Sequence, residues 1–258
     1  MLNTTIIGSG TGTPVLLAHG LFGLGRNLGG IARRLADQGH RVISVDMRNH
    51  GQSFHDSEHG YPALAADLAH VIDVNGGRAD VVGHSMGGKA GMTLALTRPE
   101  LVARLSVLDI APVAYGHDQT AYLDAMEELD LQGLERRSIA DERLAGQVQE
   151  PGIRAFLLQS LDLKAQPPRW TLNLSALRSE MSTLVGWCGD DLMPGAFTGP
   201  ALFLAGAQSD YVDKAGEAEI VRLFPQARIE RIRGAGHWLH ADQPVATAEA
   251  VAAFLNRA

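Results

Sequence analysis

The stretch DVVGHSMGGKA, residues 80–90, decides the fold of this 258-residue chain. An apolar lead-in, Val81 and Val82, is followed by Ser85, which has glycines close to it on both sides. Two kinds of turn fit that spacing. One is a phosphate-binding loop, and the other is a nucleophile elbow, Gly-x-Ser-x-Gly, in which a strand turns sharply into a helix and exposes the serine.

The residues after the serine separate the two interpretations. A phosphate loop needs a Ser or Thr hydroxyl after its lysine to hold magnesium, but Ala90 follows Lys89. An elbow needs very small residues two positions before and after the serine, because a Cβ there would collide with neighbouring backbone, and Gly83 and Gly87 satisfy this. The sequence therefore favours an elbow with Ser85 as nucleophile, and it leaves Lys89 as an expected surface residue.

Short apolar runs alternate with helical patterns along the chain. The runs predict strands at Thr4–Gly8, Val15–Gly20, Arg41–Asp46, Asp80–His84, Arg104–Ile110, Ala201–Gly206 and Ala227–Ile232. Most are continuously apolar, which is typical of parallel strands buried on both faces, whereas the last alternates and predicts an edge strand. The helical patterns between them include residues 28–38, 61–77 and 85–98. This alternation predicts an α/β fold with a doubly wound, mostly parallel sheet.

One long segment interrupts the alternation. From residue 113 to residue 197 the patterns are helical, and none of the runs predicts a strand. We expect residues 1–112 and 198–258 to form the core, with residues 113–197 inserted as a helical lid over the carboxyl edge of the sheet.

Composition excludes several partners. The net charge is -7 and no basic cluster is present, which argues against nucleic acid and anionic membranes. No apolar run approaches 18 residues, so we expect no membrane span. The lone Cys188 cannot form an internal disulfide, which favours a reducing, cytoplasmic location. The histidines at 50, 55 and 59 are interpreted as a solvated loop, and neither a metal nor another cofactor is expected.

A serine hydroxyl is a weak nucleophile and needs a base within hydrogen-bond reach. His237 follows the last predicted strand in the loop GAGHWLHADQP, where a base can reach back over the strand ends, and nearby His240 is expected to point outward. The oxyanion of an acyl-transfer intermediate needs backbone donors. The amide of Leu21, after a His-Gly turn, and the amide of Met86, after the serine, are the candidates.

Five motifs together resemble a family of bacterial carboxylesterases that have the α/β-hydrolase fold and are suspected of taking acyl-CoA thioesters. They are HGLFG, DMRNHGQS, GHSMGGK, DIAPV and AGAGHWLHADQP, and the likeness covers nearly the whole chain. The resemblance implies Ser85 as nucleophile, His237 as base and an acid between them in sequence.

Two aspartates compete for the role of the acid. Asp210 follows the strand at 201–206, but the usual Gly-x-x-Asp spacing from Gly206 reaches Ser209 instead. Asp109 ends the strand LSVLD, and either carboxylate could orient the imidazole. The family resemblance implies Asp109, with Ser209 adding a hydrogen bond.

These patterns predict a serine carboxylester hydrolase that uses acyl-enzyme chemistry on small or short-chain acyl esters. Its partner would be a small-molecule ester or thioester. An acyl-CoA thioesterase or a C–C bond hydrolase would use the same residues, and a small-molecule receptor could retain them without turnover. The oligomeric state is left open.

Overall fold

A seven-stranded sheet forms the centre of the computed structural model, which describes residues 1–116, 119–188 and 192–256. The strands of the chain are β1 (Thr4–Ile7), β2 (Val15–Ala18), β3 (Val42–Val45), β4 (Ala79–His84), β5 (Val102–Leu108), β6 (Leu161–Asp162), β7 (Arg169–Trp170), β8 (Ala201–Gly206) and β9 (Ala227–Ile232). The sheet order is β1-β3-β2-β4-β5-β8-β9, and only the β1–β3 pair is antiparallel. The predicted α/β class and the edge position of β9 are confirmed.

Helices cover both faces of this sheet. They are α1 (Gly29–Asp37), α2 (Tyr61–Asp73), α3 (Met86–Thr97), α4 (Thr120–Glu128), α5 (Arg137–Leu144), α6 (Pro151–Leu157), α7 (Leu174–Ser179), α8 (Met181–Val185), α9 (Lys214–Leu223), α10 (Leu239–Asp242) and α11 (Pro244–Leu255). Prolines in the first turn of α2, α6 and α11 suit those helix starts, where no amide donor is needed. None of the described helices has the length and apolarity needed to cross a bilayer.

The core has two layers because side chains alternate across each strand. On one face, Val15 and Leu17 of β2 pack with α1 and α11. On the other face, Leu16 and Ala18 pack with α2 and α3, and the apolar side chains of the inserted helices extend this layer. The continuously apolar strand sequences follow from burial on both faces.

The segment between β5 and β8 carries helices α4 to α8. It also contains β6 and β7, which pair as a short antiparallel ladder that the sequence did not predict. Strands of two residues are too short to show an alternating pattern. Phe197, near the end of the segment, is buried and its ring lies 6.3 Å from that of Phe224. The division into a core and a lid stays a prediction, and residues 117–118 and 189–191 of it lie outside the described residues.

The sheet brings three strand ends to one edge. In the register of the parallel strands, Ala18 of β2 is opposite Gly83 of β4, and His84 of β4 is opposite Leu108 of β5. The residues that follow these strands therefore lie side by side at the carboxyl edge, where open α/β sheets bind their ligands.

Candidate active site

Ser85 occupies a strained turn between β4 and α3. Its backbone has φ 50° and ψ −116°, a conformation that costs a side chain of this type about 1–3 kcal/mol. The turn is tight. A Cβ placed on Gly83 would lie 2.3 Å from the carbonyl oxygen of Gly87, and one placed on Gly87 would lie 2.3 Å from that of Ala18. The glycine spacing seen in the sequence is thus a requirement of the close backbone contacts that hold Ser85.

The structure brings Ser85, His237 and Asp109 together from three places in the chain. His237 Nε2 lies 3.1 Å from Ser85 Oγ, and His237 Nδ1 lies 2.8 Å from Asp109 Oδ2. Because a carboxylate only accepts hydrogen bonds, Nδ1 of the neutral ring carries the proton. The lone pair on Nε2 then faces the serine hydroxyl, which is the orientation that a proton acceptor requires.

The carboxylate of Asp109 is fully buried and held from several sides. Its Oδ1 accepts the N–H of Gly206 at 2.7 Å, and its Oδ2 accepts the hydroxyl of Ser209 at 2.5 Å. Asp210, the other candidate acid, is exposed on the turn after β8. Asp210 stands one residue beyond the usual acid position counted from Gly206, and Ser209, which occupies that position, is the residue that lies against the Asp109–His237 pair.

Two rings that the sequence analysis did not single out pack against His237. Tyr211 stacks on its imidazole with ring centroids 3.9 Å apart and planes 19° from parallel. On another side, the ring of His84 lies 4.9 Å away, and His84 Nε2 donates to the backbone carbonyl of His237 at 2.9 Å. These contacts fix both the ring and the loop that carries it. No periodicity or spacing in the sequence identifies them, because the partners come from distant segments.

The prediction that His240 points outward is wrong. Its ring lies 4.7 Å from that of His84 and lines the same cavity as Ser85. Burial lowers the pKa of His240 to about 4. The short helix α10 turns this side chain back toward the sheet, and a linear reading of the loop could not reveal that turn.

The loop after β3 is also more buried than predicted. His50 and His59 are buried, and burial lowers the pKa of His59 to about 3 and that of His50 well below its ordinary value. His50 Nε2 accepts the N–H of Phe22 at 3.2 Å, so the loop supports the segment after β2. Across residues 1–116, 119–188 and 192–256, no group of three His, Cys, Asp or Glu side chains could hold a metal ion.

A cavity of about 300 Å³ opens in front of Ser85. Leu21 and Met86, whose amides were predicted as oxyanion donors, both line it. Within the described residues, neither of these two N–H groups donates a hydrogen bond to the protein. Most of the remaining lining is apolar, and part of it comes from Ile153 and Leu184 of the inserted segment.

Lys89 lies beneath this cavity and is 1% exposed, so its predicted surface position is wrong. The ammonium donates to the carbonyl oxygens of Val185, at 3.2 Å, and Gly186, and it lies 4.7 Å from the centre of the Tyr115 ring. Burial lowers its pKa from 10.5 to about 7. The inserted segment covers this part of α3, which explains why the sequence of the helix alone was misleading.

Known proteins resemble this chain over nearly its whole length. A family model for the alpha/beta hydrolase fold matches residues 13–244. The chain is 39% identical over 249 residues to Esterase YbfF of Escherichia coli (strain K12), a match that covers 95% of this chain and 93% of that protein. It is 37% identical over 257 residues to the sn-1-specific diacylglycerol lipase ABHD11 of Danio rerio, covering 96% and 80%. A solved marine microorganism esterase superposes with a TM-score of 0.92 at 32% identity and covers 98% of both chains.

Proposed function

This chain belongs to the α/β-hydrolase fold family and hydrolyses ester bonds, and we propose that it is a serine carboxylester hydrolase working through an acyl-enzyme. The observation that carries the proposal is the 3.1 Å contact between His237 Nε2 and Ser85 Oγ, with Nδ1 held by Asp109 at 2.8 Å. This is the arrangement of a nucleophile, a base and a group that orients the base.

Each residue then has one task. Ser85 Oγ attacks the ester carbonyl carbon while His237 Nε2 takes the hydroxyl proton, and the amides of Leu21 and Met86 stabilise the oxyanion. The tetrahedral intermediate collapses, the C–O bond to the alcohol breaks, and His237 returns the proton to the leaving oxygen. A water molecule, deprotonated by His237, then attacks the acyl-enzyme; the bond from the acyl carbon to Ser85 Oγ breaks, His237 returns the proton to Oγ, and the acid leaves. Asp109 holds the reactive tautomer throughout and stabilises the imidazolium.

The cavity favours small, uncharged acyl groups. Its volume of about 300 Å³ and its mainly apolar lining suit a short acyl chain. Among the described residues that line it, Lys89 is the only lysine or arginine, and its ammonium already donates to backbone carbonyls. A charged acyl group would need a cationic side chain that is free to bind it, so this lining favours uncharged acyl groups. No observation favours a C–C bond hydrolase. A receptor without turnover would not need the hydrogen bond through which Ser85 Oγ can pass its proton to His237 Nε2.

The inserted segment, residues 113–197, is proposed to act as the lid over this cavity. The support is that its side chains, including Ile153, Phe156, Leu184 and Val185, form one wall. Exchange of this segment is therefore expected to alter acyl preference more than the chemistry. The cytoplasmic location stays a prediction.

The test is a panel of p-nitrophenyl esters of increasing acyl length, together with acyl-CoAs, using the purified protein and the Ser85→Ala variant. We expect turnover to be highest for short acyl esters and to be lost, together with fluorophosphonate labelling, in Ser85→Ala. Labelling of the Ser85→Ala variant at another residue would overturn the assignment of Ser85 as the nucleophile. A preference for acyl-CoAs over matched esters would overturn the substrate class.

A further inference from the structure

We propose that His19, which the mechanism above does not use, is a positioning residue that builds the oxyanion hole. Its imidazole fixes the plane of the peptide between Gly20 and Leu21, so that the Leu21 N–H faces the cavity. The inference rests on the proposed function, since an oxyanion forms only if Ser85 attacks a carbonyl.

The carbonyl oxygen of Gly20 is held twice. It accepts the Nδ1–H of His19 at 2.8 Å and the backbone N–H of Gly23 at 3.0 Å. The carbonyl and the N–H of one trans peptide are rigidly coplanar and point in opposite directions. Fixing the Gly20 oxygen therefore also fixes the direction of the Leu21 N–H. In the part of the chain that the structure describes, this N–H has no protein acceptor, and Leu21 lines the cavity beside Ser85.

The imidazole of His19 can make this bond in one tautomer only. Its Nε2 accepts the backbone N–H of Met47 at 2.9 Å, so the lone pair is on Nε2 and the proton is on Nδ1. The side chain is 1% exposed, and burial lowers its pKa to about 4, so the ring stays neutral at neutral pH. Met47 follows β3, and the position of the oxyanion loop is thereby tied to the backbone of the sheet.

A neighbouring histidine supports the next peptide. His50 Nδ1 donates to the carbonyl of Arg48 at 2.8 Å, which leaves Nε2 to accept the N–H of Phe22 at 3.2 Å. Phe22 has φ 61°, a conformation that a phenylalanine rarely adopts and that needs such support. Because the N–H of Phe22 is held by His50 and the oxygen of Gly20 by His19, the Leu21 residue between them cannot rotate freely.

The first measurement needs no variant. Imidazole nitrogen NMR of the wild-type protein at neutral pH should show His19 with its proton on Nδ1. A proton on Nε2 would overturn the proposal, because Nδ1 could then not donate to Gly20.

The second measurement compares His19→Met, which removes the donor, with His19→Asn, whose amide can still donate to the Gly20 carbonyl. His40→Met is the matched control, since His40 is a half-buried histidine that precedes β3, at the end of the sheet opposite the oxyanion loop. With p-nitrophenyl butyrate, we expect kcat of His19→Met to fall about 10²-fold, as for the loss of one oxyanion donor, while KM changes little. His19→Asn should recover much of this loss, and His40→Met should stay near wild type.

A trifluoromethyl ketone inhibitor, which forms a tetrahedral adduct on Ser85, distinguishes a positioning role of His19 in the oxyanion hole from a general role in the fold. The Ki of this inhibitor should rise in proportion to the loss of kcat in His19→Met, because both depend on the oxyanion donors. A folded His19→Met with unchanged kcat and Ki would overturn the positioning role alone. If wild-type turnover instead persists in Ser85→Ala, the proposed function fails, whatever the His19 variants do.

Discussion

Replacing Asp109 by Asn should inactivate the enzyme without unfolding it. The orientation of the new amide follows from the structure. Oδ1 of Asp109 faces the N–H of Gly206, which is a donor, so the carbonyl oxygen of the asparagine must take that place. The amide NH₂ then takes the place of Oδ2, facing His237 Nδ1 at 2.8 Å. An NH₂ group there requires a lone pair on Nδ1, which moves the ring proton to Nε2 and removes the acceptor from Ser85.

The expected loss is large. The same change in a serine protease lowers kcat about 10⁴-fold through the wrong tautomer, which corresponds to about 5.5 kcal/mol of barrier. Folding should be little affected, because asparagine tolerates the φ of 51° at this position and keeps the bond to Gly206. The thermal midpoint should therefore stay within a few degrees of wild type while kcat falls.

The assay is kcat/KM for a short p-nitrophenyl ester, with Asp210→Asn as the matched control. Asp210 is exposed, whereas Asp109 is the carboxylate bonded to His237, so Asp210→Asn should keep kcat/KM near that of wild type. If Asp210→Asn were the inactive variant and Asp109→Asn kept its activity, the tautomer argument and the assignment of Asp109 would both be refuted.

Three further predictions concern stability. Gly87→Ala should prevent folding, because the added methyl would lie 2.3 Å from a backbone carbonyl oxygen. Gly152→Ala is the control, since its methyl meets no other atom; it should increase the free energy of unfolding by about 0.5–1 kcal/mol and so raise the thermal midpoint. The pKa of Lys89 is lowered from 10.5 to about 7, so the unfolded chain binds more protons between these values and stability should rise with pH there. In urea unfolding, the free energy of unfolding of Lys89→Met should not show this rise with pH. If wild type and Lys89→Met differed by the same amount at every pH, the prediction would be contradicted. The pKa of His19 is lowered from 6.5 to about 4, so the unfolded chain binds more protons in this range and stability should fall as pH falls through it; a wild-type urea midpoint that falls no more steeply than that of His19→Met would refute this.

Features of the site could be predicted from the sequence where their signal is local. The elbow at Ser85 could be predicted because its glycines are required within five residues of chain, and the esterase resemblance is confirmed by relatives that match along almost the full length. Asp109 could not be separated from Asp210 by spacing alone and needed the family likeness. Lys89 and His240 were misplaced because their burial depends on segments that are distant in sequence or that turn back on themselves.

Tyr211, His84 and His19 received no role from the sequence for a related reason. Each acts through a contact with a peptide or ring whose position is known only once the sheet edge has formed. The distances that define them are 3.9 Å between ring centroids for Tyr211, 2.9 Å for the His84 hydrogen bond and 2.8 Å for that of His19. Neither a periodic pattern nor a characteristic composition in the sequence marks contacts of this kind.

The neighbouring positions of β4 and β5 have a consequence for motion. The amide of Ser85 donates to the carbonyl of Leu108 at 3.0 Å, and the amide of Asp109 donates to that of Leu204 at 2.8 Å, so both residues are anchored in the sheet. His237 is held on a loop that contains Gly234, whose φ is 76°. Slow amide hydrogen exchange is expected at the two anchored positions and faster exchange in the loop. The distance between the backbones of Ser85 and Asp109 is therefore set by the sheet, whereas the position of His237 depends on the packing of Tyr211 and His84 against its ring and loop.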